Sequence, residues 1–279
     1  RVHRCGLSAL RLRCRHGRGR RPGQPRDAAI APPLAPAFAP RRPPAPRIAG
    51  ACFALALAAG RAAHGQQAIV SLPSADITPA GESFVMHESQ ARPFSPKPYW
   101  NTTNFFCYGL GYNAELAVTT FNLGTPYDGR GSVAFGYKAF TPLFDDVAPW
   151  AEVRLTHGVM GLVDVDDGGA GHWLYAHLSA RAPALGTRAT AGISEGSALL
   201  FQRRVVSFMA ALEQPLGTPK LNAVVEWFSG EHDLGNLIGG VTFHPDHTWI
   251  FVAGYKVPTS GPAFSHAKQA FVFEVGAFF

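Results

Sequence analysis

Phe271-Val-Phe-Glu-Val-Gly-Ala-Phe-Phe279 alternates without a break: Phe271, Phe273, Val275, Ala277 and Phe279 fall in one register, and Val272, Glu274, Gly276 and Phe278 in the other. A β-strand sends successive side chains to opposite faces. One face of this segment is therefore wholly apolar while the other accepts a charge. Hydrocarbon on one side and a wet lumen on the other demand that division.

The pattern recurs toward the N-terminus. Period-two segments bounded by Gly, Pro, Asn or Asp occupy residues 83–92, 103–111, 114–122, 131–140, 149–159, 171–181, 187–195, 204–213, 220–229, 235–243, 248–257 and 268–279. A tilted membrane strand needs about 9–11 residues, and bacterial single-chain barrels use even strand numbers. Twelve strands fit both conditions, with ten or fourteen as alternatives. Between Leu221 and Trp227, for example, Leu221, Ala223, Val225 and Trp227 oppose Asn222, Val224 and Glu226.

Mid-strand charges collect on the second face: Glu88, Glu115, Lys138, Glu152, Arg154, Arg181, Arg188, Glu226, Lys256 and Glu274. An Arg or Lys facing the bilayer midplane costs roughly 2–4 kcal/mol, whereas inside a barrel it can pair or stay hydrated. These ten residues are therefore the candidate pore lining. A soluble β-sandwich also alternates, so alternation alone does not decide. The aromatic residues help: Trp100, Trp150, Trp227 and Trp249, with Tyr99, Tyr108, Tyr112 and Tyr255, sit mostly near strand ends, where membrane-interface girdles lie. Trp173 falls on the inner register instead.

The closing segment with its terminal Phe279 resembles the C-terminal signature of bacterial outer-membrane β-barrels, in which a final Phe after alternating apolar residues is read by the barrel assembly machinery. The resemblance implies an all-β antiparallel transmembrane barrel over residues 83–279, in a bacterial outer membrane. Its partners are then outer-membrane lipid and the assembly machinery. It implies no activity.

The chain's formal charge of +6 belongs to its beginning. Twelve Arg precede Ile48 against one acid, Asp27, while from Ile48 onward 13 basic residues face 18 acidic ones. A nucleic-acid partner is therefore not expected. Residues 1–46 are rich in Arg, Ala and Pro without hydrophobic periodicity, a leader that should not fold and that reads as an over-extended gene start. Residues 47–65 place Arg47 before an apolar run and small residues, the shape of a secretory signal peptide cleaved near Ala63 to Gln66. The run is shorter than the roughly 20 residues a membrane helix needs. Residues 66–82 read as a periplasmic lead-in rather than a plug. After trimming, Cys107 is the one remaining Cys, a small buried or lipid-facing side chain.

Chemistry-bearing motifs are few. Asp164-Val-Asp166-Asp167-Gly-Gly has the carboxylates of a calcium loop but not the Glu at the twelfth position, so a solvated loop explains it better. His244-Pro-Asp-His247 has two His that could grip a transition metal, but polar turn residues explain it better. His177-Leu-Ser179 resembles the strand-borne His-x-Ser pair of outer-membrane phospholipases and lipid A deacylases, but its register points it at the lumen, away from lipid. No phosphate-binding loop, dinucleotide pattern or CxxC pair occurs, and no cofactor or metal is expected. The expected function is non-enzymatic, porin-like passage of small solutes. A closed structural or binding barrel with an ion-paired lumen is the first alternative, and a lipid esterase using His177 and Ser179 the second.

Overall fold

The structure is a computed structural model and describes residues 68–92, 99–123, 131–145, 148, 150–201, 205–232, 234–259 and 269–279. The leader 1–46 and the signal-like 47–65 lie outside the described residues. Twelve strands form the wall: β1 (Ser83–Arg92), β2 (Tyr99–Gly111), β3 (Ala114–Phe121), β4 (Ser132–Leu143), β5 (Glu152–Asp164), β6 (Ala170–Arg181), β7 (Arg188–Gly196), β8 (Val205–Pro215), β9 (Leu221–Phe228), β10 (Asn236–Phe243), β11 (Trp249–Pro258) and β12 (Ala270–Phe278). Each pairs antiparallel with its neighbours in sequence, and β1 pairs with β12 to close the barrel. Closure leaves no edge strand to pair elsewhere.

The seam runs from Phe84 opposite Phe278 to Ala91 opposite Phe271. Phe279 extends it by exchanging backbone hydrogen bonds with Ser83, at 3.0 and 2.9 Å. Both chain ends of the barrel therefore lie at one rim, here called the near rim. The tightest near-rim turn is Tyr112-Asn113, where both residues have positive φ, 52° and 58°. That is the backbone of a type I′ hairpin, whose twist matches its strands.

All twelve expected strands are present, with shifted ends. β2 begins earlier, at Tyr99, and β5 runs on to Asp164, so the connections expected at Pro93 to Thr102 and Met160 to Ala170 are shorter. At the far rim a four-residue helix, α1 (Ala198–Phe201), turns Leu200 and Phe201 inward. Phe201 packs edge-on against His232 with ring centroids 4.4 Å apart.

The two faces divide as the alternation requires. Phe135, Tyr137, Leu174, Leu178, Val225, Trp227, Phe251, Tyr255, Phe271 and Phe273 are all exposed, while Glu88, Glu115, Lys138, Glu226, Lys256 and Glu274 are buried. Exposed apolar and buried charged residues on the same strands are the inverse of a water-soluble sheet. Trp100, Trp150, Trp227, Trp249, Tyr108, Tyr112 and Tyr255 are exposed, and Trp173 is buried inside.

The inner face is not purely polar. Phe84, Met86, Val224, Phe228, Ile238, Ile250, Val252 and Val272 are buried there beside the charges. With hydrocarbon against the outer belt, Val225→Arg should cost roughly 2–4 kcal/mol in urea unfolding of the bilayer-inserted protein, whereas Lys220→Arg in the β8–β9 turn should be silent.

Candidate functional site

The space inside the barrel is occupied by the chain itself. Ile69, Val70, Leu72, Ser74, Ala75, Asp76 and Thr78 are buried, and Ile69, Val70 and Leu72 join one apolar cluster with Phe84, Met86, Val224, Ile250 and Val272. The lead-in expected for residues 66–82 is thus corrected: from Ala68 onward the segment is a plug. The cause is apolar. The inner-face hydrophobes need a cover, and this segment carries matching ones.

The plug is held by charges from opposite sides of the wall. Thr78 N donates to Glu115 Oε2 on β3 at 2.7 Å, and Glu115 in turn pairs with Lys138 on β4 at 3.1 Å. Asp76 accepts from Arg154 on β5 at 3.1 Å and from Arg188 on β7 at 2.6 Å. Arg188 also forks onto Glu213 of β8, and Arg154 reaches the Ala75 carbonyl at 3.2 Å while lying over the Phe140 ring. Deeper in, the segment doubles back through an Ala68–Pro73 bridge, with Ile69 N donating to Leu72 O at 2.7 Å. That turn presents three backbone N–H groups, of Val70, Ser71 and Leu72, to the Glu226 carboxylate of β9 at 3.1, 2.8 and 3.1 Å. β3 and β9 lie on opposite sides of the barrel, so the segment spans it.

Burial alone would raise the Asp76 carboxyl, but the Arg188, Arg181 and Arg154 guanidinium groups outweigh burial and hold it well below the usual carboxylate range. Its stabilising effect is therefore fully present above the ordinary carboxylate value and is lost progressively as pH falls from there through the lowered one.

Gly109 of β2 marks how closely the plug approaches the wall. A Cβ there would sit 2.0 Å from the Pro79 carbonyl oxygen and 2.3 Å from that of Thr78. Ala80 forms a parallel bridge with the same glycine.

Of the ten candidate inner residues, Glu115, Arg154, Arg188 and Glu226 grip the plug directly, Lys138 pairs with one of them, and Arg181 acts on Asp76 through space. Glu88, Lys256 and Glu274 form a separate group around the β1–β12 seam. Gln90 links two of them, donating to Glu88 at 2.7 Å and accepting from Lys256, and Thr103 donates to Glu88 at 3.1 Å. Glu152 stands apart: it is exposed, 4.0 Å from Arg154. Asp76 and Glu213 were not among the candidates. Asp76 is the one acid between Gln66 and Pro79, and its isolation in an apolar stretch was the available signal.

The His177 and Ser179 pair does not form. Both side chains are about 2% exposed, Ser179 Oγ bonds Thr190 Oγ1 at 2.5 Å, and His177 stacks on Tyr175. Lipid cannot reach either. The acidic loop is used internally, Asp164 Oδ1 accepting from the N–H groups of Asp166 and Asp167 and Asp166 Oδ2 from Gly131 N. Asp246 likewise accepts from Thr248 N and Trp249 N at the start of β11.

No family model matches the sequence, and no curated protein matches it. Among solved structures, the chain is similar to the translocator domain of the autotransporter NalP from Neisseria meningitidis, at 14% identity over 83% of this chain and 95% of that one, with a TM-score of 0.39. It is also similar to Ail, the attachment invasion locus protein of Yersinia pestis, solved with the heparin analogue sucrose octasulfate, at 8% identity over 72% of this chain and 99% of that one, with a TM-score of 0.20.

Asp76→Ala should destabilise the protein by roughly 3–5 kcal/mol, the cost of stranding buried cations, read from urea unfolding followed by Trp fluorescence. In Glu226→Ala, which strips the acceptor from three N–H groups, proteinase K should cut between residues 68 and 80 much faster than in the unaltered chain. Peptide mass spectrometry would locate the cut.

Proposed function

We propose that the protein is a bacterial outer-membrane β-barrel shut from within by its own N-terminal segment: a closed, ion-paired barrel rather than an open pore for passive solute passage. The observation that carries this reading is the grip of Glu226 on three successive N–H groups at the turn of the plug. A carboxylate bound by preorganised donors releases them only at a cost comparable to breaking several charge-assisted hydrogen bonds. Small solutes would need the segment 68–80 to leave before they could cross.

The location is supported by the apolar belt, the signal-like segment 47–65 and the terminal aromatic residue. On this reading outer-membrane lipid surrounds the belt, and the assembly machinery reads the β12 end at Phe279, whose backbone completes the seam with Ser83.

Planar-bilayer recording tests the closed state. The intact protein should be silent, and deletion of residues 68–80 should give discrete conductance steps. Arg154→Ala and Glu226→Ala should give rare, brief openings. Steady conductance from the intact chain would refute the closed reading.

A further inference from the structure

The outer face carries a hydrogen-bonded row of polar side chains on β1, β2 and β3, unlike His157 on the outer face of β5, which packs edge-on with the exposed Tyr137 ring. His87 points outward and is exposed, between Val85 and Ser89 on the same face. His87 Nδ1 lies 2.8 Å from Asn104 Oδ1 on β2, and His87 Nε2 lies 2.9 Å from Ser89 Oγ. Asn104 Nδ2 donates to Thr120 Oγ1 on β3 at 3.0 Å. The amide oxygen thus faces the imidazole, so Nδ1 carries the proton and donates it, leaving Nε2 to accept from the Ser89 hydroxyl. That is the tautomer a general base requires.

This polar row lies within the belt, not at its edge. At ~3.3 Å per residue and a strand tilt of about 40°, Ser89 stands roughly 15 Å above Ser83 at the near rim, in the half of a belt ~25 Å tall that adjoins the far rim. Across the seam, His87 and Ser89 are register partners of Val275 and Phe273, both exposed and apolar. Polar groups facing hydrocarbon are costly and rare, and an ionisable one there marks function by default. His172 and Glu195 also pair outside, at 2.8 Å, but near the far ends of their strands, where water and headgroups reach.

Nucleophile, base and orienting group in one hydrogen-bonded chain is the constellation of acyl transfer. We infer that this outward row is an acyl-ester hydrolase site for the lipids around the barrel, with Ser89 as nucleophile, His87 as general base and Asn104 as the positioning residue. The inference rests on the belt being embedded in lipid and is independent of the plug. Ser89 Oγ attacks the ester carbonyl carbon while its proton passes to His87 Nε2. Collapse of the tetrahedral intermediate breaks the ester C–O bond, and the leaving alkoxide takes that proton to depart as an alcohol. Water then attacks the acyl-serine, giving its proton to Nε2. Collapse expels the Ser89 oxygen, which recovers the proton, and the fatty acid is released.

The site is built for a long-chain acyl ester, which a glycerophospholipid and an acylated glucosamine lipid both supply. The test uses the full chain inserted in vesicles of phosphatidylglycerol, or of lipopolysaccharide, with released fatty acid measured by mass spectrometry. A fluorophosphonate serves as covalent probe of the nucleophile. Brominated lipid reports insertion by quenching the belt tryptophans.

Fatty acid should appear from at least one lipid, which identifies the source, and the probe should label the Ser89 peptide. Ser89→Ala and His87→Ala should lose labelling and at least about 100-fold in rate, while Ser179→Ala stays unchanged. Asn104→Ala should lower kcat about tenfold or more with little change in KM. Asn104→Asp should restore the rate lost in Asn104→Ala, because a carboxylate oxygen still accepts from His87 Nδ1. A purely structural hydrogen-bond row would produce neither the kcat loss at constant KM nor that rescue. Quenched tryptophans with no fatty acid from either lipid, or hydrolysis that survives Ser89→Ala, would overturn the site alone. Unquenched tryptophans would overturn the membrane reading, and the site with it.

Discussion

Charges sealed inside a narrow barrel have to find their partners there, and in this protein a single segment supplies many of them. Transfer of an ion from water to a protein interior costs several kcal/mol unless counter-charges and hydrogen bonds replace the lost hydration. Glu226 obtains three N–H donors from Val70, Ser71 and Leu72, and Arg188 and Arg154 obtain the Asp76 carboxylate. Remove the segment and the wall keeps its backbone ladder but loses those partners. The plug and the inner charges are one structure, and neither is explained without the other.

The same segment settles the apolar side of the interior. Phe84, Ile250, Val252 and Val272 share the inner face with the charges, and in an open, water-filled lumen they would be wetted. Ile69, Val70 and Leu72 cover them. Two unlike requirements, apolar burial and charge pairing, are thus met by a short stretch that alternates between them: hydrophobic side chains toward the greasy wall, backbone amides toward Glu226, and a carboxylate toward the guanidinium groups.

The wall was legible in the sequence because period two is a local signal. Val225 and Glu226 separate correctly from their immediate neighbours alone, and so do Phe273 and Glu274. Strand ends were less so. Met160 to Asp164 contains two Gly-flanked hydrophobes that read as a loop, yet register with β4 and β6 carries pairing through them. The plug was missed for a different reason. Its side-chain partners Arg188 and Glu226 are more than a hundred positions away, and nothing in Ala68-Ile-Val-Ser-Leu72 by itself distinguishes a lead-in from an insert. The pertinent clue lay elsewhere, in inner-register positions such as Val272 and Ile250 that a wet lumen does not accommodate.

Parity also separates the two His-x-Ser pairs. In His177-Leu-Ser179 the middle residue is an exposed Leu, so its neighbours turn inward, where Thr190 and Tyr175 occupy them. In His87-Glu-Ser89 the middle residue is Glu88, buried and held by Gln90 and Thr103, so its neighbours turn outward. The inward pull on Glu88 therefore fixes the orientation of His87 and Ser89 on the lipid face. Asn104 enters only through the β1–β2 register, in which it stands directly opposite His87 seventeen residues along the chain. A motif search confined to one strand finds two equivalent pairs. The charge between the residues, together with the pairing of the next strand, makes them chemically different.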